Sequence, residues 1–368
     1  MSSATHGPSA TSSATIASSA TTDPSVTIGV VCWNSATVIE PCLASIRAQT
    51  HPRTSLLVAD NASADDTRAR LERLTRPDER IYFNRNLGFS AAHNALIRRG
   101  ADGPPGLSDY YLALNPDIEL TPSFVATLVA ALDAHPRAGA ATGKLLRFPS
   151  AAGDSVSGGL GGGAGEARTI VDSTGIVMQP SQRHLDRGSD EVDRGQFERL
   201  EYVFGASGAA ALYRRRMLDD IAVDGEWFDE DFFAYREDAD LAWRAQLLGW
   251  DCLYVPHAVA RHGRRVTPER REALPPEINR YSVRNRFLLR LKNQTAGHAL
   301  AFAGPALLRD LQVVGFVLAK EHSSIGGLID VVRLLPRMWT KRRAIMARRR
   351  RPTRDIVQWF RRASLPAD

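Results

Sequence analysis

Several features that would place a chain quickly are scarce or missing here. The 368 residues include only three cysteines, Cys32, Cys42 and Cys252, and no two of them stand at a CxxC or other ligand spacing. That excludes a disulfide framework and a structural zinc site, and it leaves three small buried hydrophobes suited to a reducing compartment. None has a base partner at recognisable spacing, so nothing points to a thiol nucleophile. No GxGxxG follows the first strand-like run, which speaks against an NAD-binding oxidoreductase. Long apolar runs are absent too. The stretches 300–308 and 311–319 are parted by Arg309 and Asp310, and neither approaches the roughly 20 residues of a bilayer span. Residues 1–25 lack the charged start and apolar core of a signal peptide and read as a disordered Ser/Thr/Ala leader. Evenly spread positive charge is also missing. The net charge is +6, yet residues 341–368 alone hold ten Lys/Arg against two Asp, so the rest is slightly acidic. The basicity belongs to the tail, and a nucleic-acid partner is not expected for the chain as a whole.

What remains is an ordinary globular composition, 43% hydrophobic and 24% charged, in which strands and helices alternate. Residues 26–33 form a continuous apolar run suited to a buried parallel strand, and Asn34 and Ser35 offer an N-cap for a helix reaching Gln49. Residues 55–60 read as a second strand, and the polar loop 61–66 opens a helix through Leu74. A short third strand at 81–84 precedes a helix from Gly88 to about Gly100. The fourth strand, 110–117, precedes a helix at 122–134. Four such repeats predict an α/β, Rossmann-like, mostly parallel sheet flanked by helices. Ligands of these sheets sit beyond the carboxyl ends of the strands. The residues there are polar each time: Asn34, Asp60, Asn84 to Asn86, and Asn115 to Asp117. The Gly-rich stretch 150–168 reads as a flexible loop. Further strands are expected at 169–171, 175–178, after the Gly-Ser turn in 202–213, and at 252–256.

The stretch 228–250 organises the chain. Its second half reads as an amphipathic helix with Leu241, Ala245 and Leu248 on one face, stopped by Gly249. Glu237, Asp238 and Asp240 crowd the first turn. They serve either as a helix-start device, since the first N–H groups favour negative charge, or as a carboxylate poised in a cleft to take a proton. Phe232, Phe233 and Tyr235 would then supply the dry wall that raises a base's pKa. Asp60 ends a strand with an acceptor-only side chain, fit for the imide N–H of uracil or thymine, or simply for a turn. In Asn115-Pro116-Asp117 the proline keeps Asn115 extended. This corner suits a hard cation completed by substrate phosphates, or a plain turn. His262 is either a surface histidine or a further ligand.

Together these pieces resemble family 2 glycosyltransferases of the GT-A fold, most closely the bacterial rhamnosyltransferase-like branch. The likeness spans about residues 26–293. It rests on ordered motifs: Val30-Val-Cys-Trp-Asn34, Val58-Ala-Asp-Asn-Ala-Ser63, Asn84-Arg-Asn-Leu-Gly-Phe-Ser-Ala-Ala-His-Asn94 and Leu112-Ala-Leu-Asn-Pro-Asp117. Later come Gly205-Ala-Ser-Gly208, Glu237-Asp-Ala-Asp-Leu-Ala-Trp-Arg244 and Tyr281-Ser-Val-Arg-Asn-Arg286. The resemblance implies an inverting glycosyltransferase with a dTDP- or UDP-linked sugar donor, rhamnose from dTDP-rhamnose being expected, and Mg²⁺ or Mn²⁺. The acceptor it implies is a hydroxyl of a polyprenyl-linked or polysaccharide chain. It further implies that Asp60 holds the pyrimidine and that Trp33, Asn34, Asn61, Arg85, Asn86, Gly88, Asn94 and Asn115 line the donor. Asp117 takes the metal in place of the family's DxD, with His262 as a further ligand, and Arg264 with Arg265 neutralises the diphosphate. Asp238, with Glu237 beside it, is the base. The competing class is a non-catalytic nucleotide- or glycan-binding module on the same sheet.

The tail, 294–368, reads as a basic helical extension in which Trp339, Trp359 and Phe360 interleave with Lys and Arg. Such helices suit an anionic leaflet, with RNA binding or a merely solvated end as alternatives. The expectation is a separable, membrane-associated appendage holding a cytoplasmic enzyme at the inner face of the cell membrane, with catalysis confined to residues 26–293.

Overall fold

The structure is a computed structural model and describes residues 23–102, 108–149, 168–263 and 276–367. The N-terminal leader through residue 22, nearly all of the Gly-rich loop, and Arg264 with Arg265 lie outside the described residues.

The N-terminal half alternates as its sequence suggests. Strand β1 (Val26–Cys32) leads to helix α1 (Ile39–Arg47), β2 (Thr54–Asp60) to α2 (Thr67–Leu74), β3 (Arg80–Tyr82) to α3 (Gly88–Asp102), and β4 (Tyr110–Leu114) to a short β5 (Ile118–Leu120) and α4 (Phe124–Ala134). β1 pairs in parallel with β2 on one side and with β4 on the other, while β2 carries β3. The chain thus winds outward from β1, then returns across it to β4. Such a reversal opens a crevice at the carboxyl ends of the two central strands.

Six more strands and a helix follow: β6 (Ala138–Arg147), β7 (Val171–Ser173), β8 (Ile176–Met178), β9 (His184–Asp186), β10 (Glu201–Val203) and β11 (Ala210–Arg214), then α5 (Arg215–Ile221). Helix α6 (Glu237–Leu247) and strand β12 (Asp251–His262) complete this part. β11 is antiparallel to both β4 and β6, whereas β12 runs parallel to β6 along most of its length. The sheet is therefore mixed, with its longest ladders parallel. Apolar side chains fill both of its faces, around Leu96, Tyr213 and Trp243 on one and Val30, Leu112 and Phe124 on the other.

Some local expectations differ. Asn34 and Ser35 do not cap α1, which begins at Ile39 without a side-chain cap. Asn34 has φ +51°, and its Oδ1 accepts from Ala64 N at 2.8 Å, which spends the side chain on tying the two crevice loops together. β6 carries no strand signal in sequence because small residues, Ala-Gly-Ala-Ala-Thr-Gly, replace the usual β-branched ones. One reason is visible at Gly143, where a Cβ would lie 2.1 Å from Ala258 O in the neighbouring strand. β12 continues past Pro256 through a register shift between Val255 and Val259, and so delivers His262 to the crevice.

The C-terminal region comprises α7 (Pro276–Asn293), α8 (Ala296–Ala301), α9 (Ala303–Ala319), α10 (Ile325–Ala347), α11 (Thr353–Val357) and β13 (Leu365–Pro366). β13 pairs with β10 at the edge of the main sheet. Lys341 of α10 is buried against Asp229 at 2.6 Å, Asp231 at 2.8 Å and Glu226 at 3.1 Å. Arg350 pairs with Asp220 at 2.7 Å, and Arg351 with Asp251. Trp359 and Phe360, expected as surface anchors, are core residues. Trp359 donates to Gln246 at 2.9 Å, and Phe360 packs on Trp243, His298 and Phe302. The tail is thus built into the body of the protein. Among the described residues no helix is long and apolar enough to cross a membrane.

Candidate active site

The crevice at the ends of β1 and β4 is a wide cleft. Trp33, Asn115, Pro116 and Asp117 line one part, Ser207, Gly208, Glu237 and Asp238 another, and His184 and Asp186 of the β8–β9 hairpin a third. His262 lines it as well.

Asp238 opens α6 and is held by two backbone donors, Gly208 N at 3.1 Å to Oδ2 and Ala239 N at 2.7 Å to Oδ1. The Gly205–Gly208 turn therefore aims the carboxylate. Burial pushes Asp238 up to about 6; the Gly208 N–H opposes that rise and the Asp186 carboxylate adds to it. Glu237 is more buried. Burial first, then the Asp238 charge, hold its carboxyl well above the carboxylate range. Of the pair, Asp238 is the one positioned and ionised to accept a proton near neutrality. Asp240 is excluded as a base: it is fully buried and bonded to Arg244 at 3.0 Å and to Lys292 and Asn293 at 2.7 Å.

The turn before α6 is strained. Phe233, Tyr235 and Arg236 have φ of +63°, +69° and +71°, which side-chain-bearing residues adopt at a cost. Asn285 of α7 holds it, its Nδ2 donating among the carbonyls of Phe232, Ala234 and Tyr235 at 2.8–2.9 Å. Tyr281 stacks on Phe233 with ring centroids 4.7 Å apart. This explains physically why the Tyr281–Arg286 motif accompanies the acidic one.

At the other side of the cleft, Asp117 and His262 meet because β12 runs antiparallel to β5, pairing His262 with Ile118, and Gly263 N donates to Asp117 O at 2.9 Å. His262 Nε2 lies 3.4 Å from Asp117 Oδ1, and Nδ1 lies 2.7 Å from Asp172 Oδ2. Burial opposes charge on this imidazole, but the two carboxylates outweigh it and push it up to about 9. Among the described residues no three His, Cys, Asp or Glu side chains form a cage for a metal ion. Asp117 and His262 are two ligands of the right kind, an oxygen and a nitrogen, with Nε2 buried and completing no hydrogen bond. They fit a Mg²⁺ or Mn²⁺ whose remaining positions are filled by diphosphate oxygens and water.

Other expected donor residues divide into cleft and scaffold. Trp33 is 46% exposed at the cleft, and Asn115 stands beside Asp117. Arg85 is exposed on its loop. Asp60 is buried at the end of β2, with Oδ1 3.3 Å from Ser63 N. Asn61 and Asn94 are buried, and their amides are spent on the protein. Asn61 bonds Asn86 Oδ1 at 2.8 Å, Gly88 O at 3.1 Å and Leu87 N at 2.8 Å. Asn94 bonds Phe228 at both its N and O and also Glu230 Oε1. Neither is among the residues lining the cleft; both brace loops beside it. Gly88 is required by shape, because at φ +79° a Cβ would meet Phe233 O at 2.4 Å. The structure adds Asp172, Asp186, His184 and Gly208 to the site. Only Gly208 lay in a motif visible in the sequence.

A doubly wound sheet whose cleft holds a buried carboxylate on one wall and an Asp–His corner on another has the architecture of the GT-A fold. The chain belongs to glycosyl transferase family 2, whose sequence model matches residues 27–222. It is therefore an enzyme, a glycosyltransferase, and rhamnosyltransferase-like. It is 30% identical over 250 residues to the N-acetylglucosaminyl-diphospho-decaprenol L-rhamnosyltransferase of Mycobacterium tuberculosis strain H37Rv, covering 61% of this chain and 71% of that protein. A shorter match, 26% over 106 residues, is to the GalNAc(5)-diNAcBac-PP-undecaprenol beta-1,3-glucosyltransferase of Campylobacter jejuni, covering 29% of this chain and 34% of that one. The fold is shared with S. aureus TarS 1-349 in complex with UDP-GlcNAc, at a TM-score of 0.51 and 15% identity, over 92% of this chain and 89% of that one. It is shared also with GalNAc-T7 with UDP, GalNAc and Mn²⁺, at 0.51 and 11%, over 80% and 57%.

Proposed function

We propose that this glycosyltransferase moves rhamnose from a dTDP-linked donor to a hydroxyl of a polyprenyl-diphosphate-linked acceptor, with inversion at the anomeric carbon, at the inner face of the cell membrane. The observation that carries the reading is Asp238, the cleft carboxylate held by two backbone N–H groups and pushed up to about 6 by burial. Asp238 takes the proton of the acceptor hydroxyl while that oxygen attacks the anomeric carbon from the face opposite the diphosphate. The sugar–phosphate bond breaks and its electron pair leaves with the nucleoside diphosphate. One displacement inverts the centre, and no nucleophile of the protein is called for. Asp117 and His262 would hold the divalent ion, which when bound supplies Lewis-acid stabilisation of charge on the departing phosphate. Rhamnose and the lipid-linked acceptor follow the name of the mycobacterial relative. The test is transfer from a panel of nucleotide sugars to a synthetic polyprenyl-diphosphate GlcNAc, with the product's anomeric configuration read by NMR. Transfer from dTDP-rhamnose with inversion is expected, and retention of configuration overturns the single-displacement route.

Membrane contact is assigned to α9 and α10 rather than to the basic tail as a whole, much of whose charge is neutralised within the protein. Leu307, Leu311 and Trp339 are 60%, 63% and 60% exposed, with Arg309, Lys320 and Arg333 among them. An apolar surface flanked by cations suits an anionic leaflet. Replacing Leu307, Leu308 and Leu311 together by Ser should release the full chain from anionic vesicles. Undiminished sedimentation would place the contact elsewhere.

A further inference from the structure

We propose that Asp172 is a positioning residue, fixing His262 in the one ring orientation in which Nε2 faces the divalent-cation corner at Asp117. The proposal rests on the reading that Asp117 and His262 hold that ion. β7, which carries Asp172, pairs with the far end of β6 on the side opposite β12, at Leu145↔Ser173 and Leu146↔Val171. β12 pairs with the same end through His262↔Arg147. The end of β6 is thus flanked by both strands, and the two side chains meet there. A carboxylate only accepts, so the 2.7 Å contact of Asp172 Oδ2 with Nδ1 fixes a proton on Nδ1. Nε2 is then the ring nitrogen left to offer its lone pair to a cation, any proton it carries passing to solvent. It is buried, completes no hydrogen bond, and lies 3.4 Å from Asp117 Oδ1. Carboxylate–imidazole–metal chains of this kind set the ligand's tautomer and strengthen it as a donor. Asp172 is itself 2% exposed, so a role in solvation or in binding substrate directly is ruled out.

The experiment titrates Mn²⁺ into the full chain, alone and with dTDP, followed by electron paramagnetic resonance. Asp172→Ala should weaken Mn²⁺ by about 10–100-fold while metal-free dTDP affinity stays unchanged. Asp172→Asn, whose amide oxygen still accepts from Nδ1–H, should lose less. A second readout separates positioning from mere loss of a nearby charge. ¹⁵N spectra of the Mg²⁺- and dTDP-loaded protein should show the His262 proton on Nδ1 in the wild type and a tautomer mixture in Asp172→Ala. If Asp172→Ala does not fold, the near-isosteric Asp172→Leu, whose side chain accepts nothing, decides, and wild-type affinity there overturns the proposal. Loss of Mn²⁺ affinity in His262→Ala but not in the Asp172 variants overturns the positioning role and leaves the metal reading standing. Wild-type affinity in both His262→Ala and Asp117→Ala overturns the metal reading, and the proposal with it.

Discussion

Asp238 shows how much one carboxylate owes to its surroundings. In water it would titrate near 4 and be a feeble base at any pH the enzyme meets. Burial lifts it to about 6, closer to the range where a base is both ionised and able to accept a proton. Asp238→Asn should therefore lower kcat by about 10²–10⁴-fold with donor affinity little changed, because the amide keeps the shape but cannot take the proton. A variant retaining most of its turnover would show the base to be elsewhere. The pH dependence has a definite sign. As the proposed base Asp238 works deprotonated, so kcat/KM should be level above about 6 and fall as the pH drops through that value, rather than through the usual carboxylate range. An acid limb near 4 would show that the carboxyl is not held as the structure implies.

At the scale of an element, the relevant unit is α6 with the strained turn that launches it. Backbone held at positive φ in Phe233, Tyr235 and Arg236 persists only while its surroundings over-determine it. The Asn285 amide and the Tyr281 ring are those surroundings. Asn285→Ala leaves three carbonyls short of a donor, so unfolding free energy should fall by about 1–3 kcal/mol. kcat should fall more than KM rises, since Asp238 sits two residues beyond the turn. Equal activity per folded molecule in the variant would reduce Asn285 to a stability role.

For the whole molecule, the tail decides what can be cut away. Residues 294–367 contribute Lys341 to an acidic cluster, two aromatic rings to the core around Trp243, and a strand to the sheet edge. A chain ending at Asn293 should therefore be unfolded or aggregated rather than a working soluble enzyme, as circular dichroism and size-exclusion chromatography would show. A monodisperse, cooperatively melting fragment would contradict this. Lys341→Ala, which leaves Asp229 to Lys292 alone and Asp231 to Arg337 alone, should cost about 1.5–3 kcal/mol, read from denaturant unfolding. A cost below 1 kcal/mol would mean that water reaches the cluster.

The sequence by itself determined the parts that depend on neighbours along the chain. Apolar runs ending in polar residues set β1, β2 and β4, and the acid-rich turn before Leu241 and Trp243 set α6. Ordered motifs from Val30 to Arg286 identified the family. Only the tertiary structure decided what depends on partners far apart in sequence. Nothing local distinguishes Asn94, a buried brace, from Asn115, a cleft residue, because an amide looks the same whether it bonds protein or substrate. β6 escaped notice because its small residues answer to the close approach of β12 and not to strand propensity. Asp172 follows an uninformative Gly-rich stretch and gains its meaning only where β7 and β12 meet the end of β6. The basic tail read as a membrane-docking appendage because charge composition does not record that Asp229, Asp220 and Asp251 fold against it. Long-range pairing of charge and backbone assigns these roles, and a linear pattern carries no trace of it.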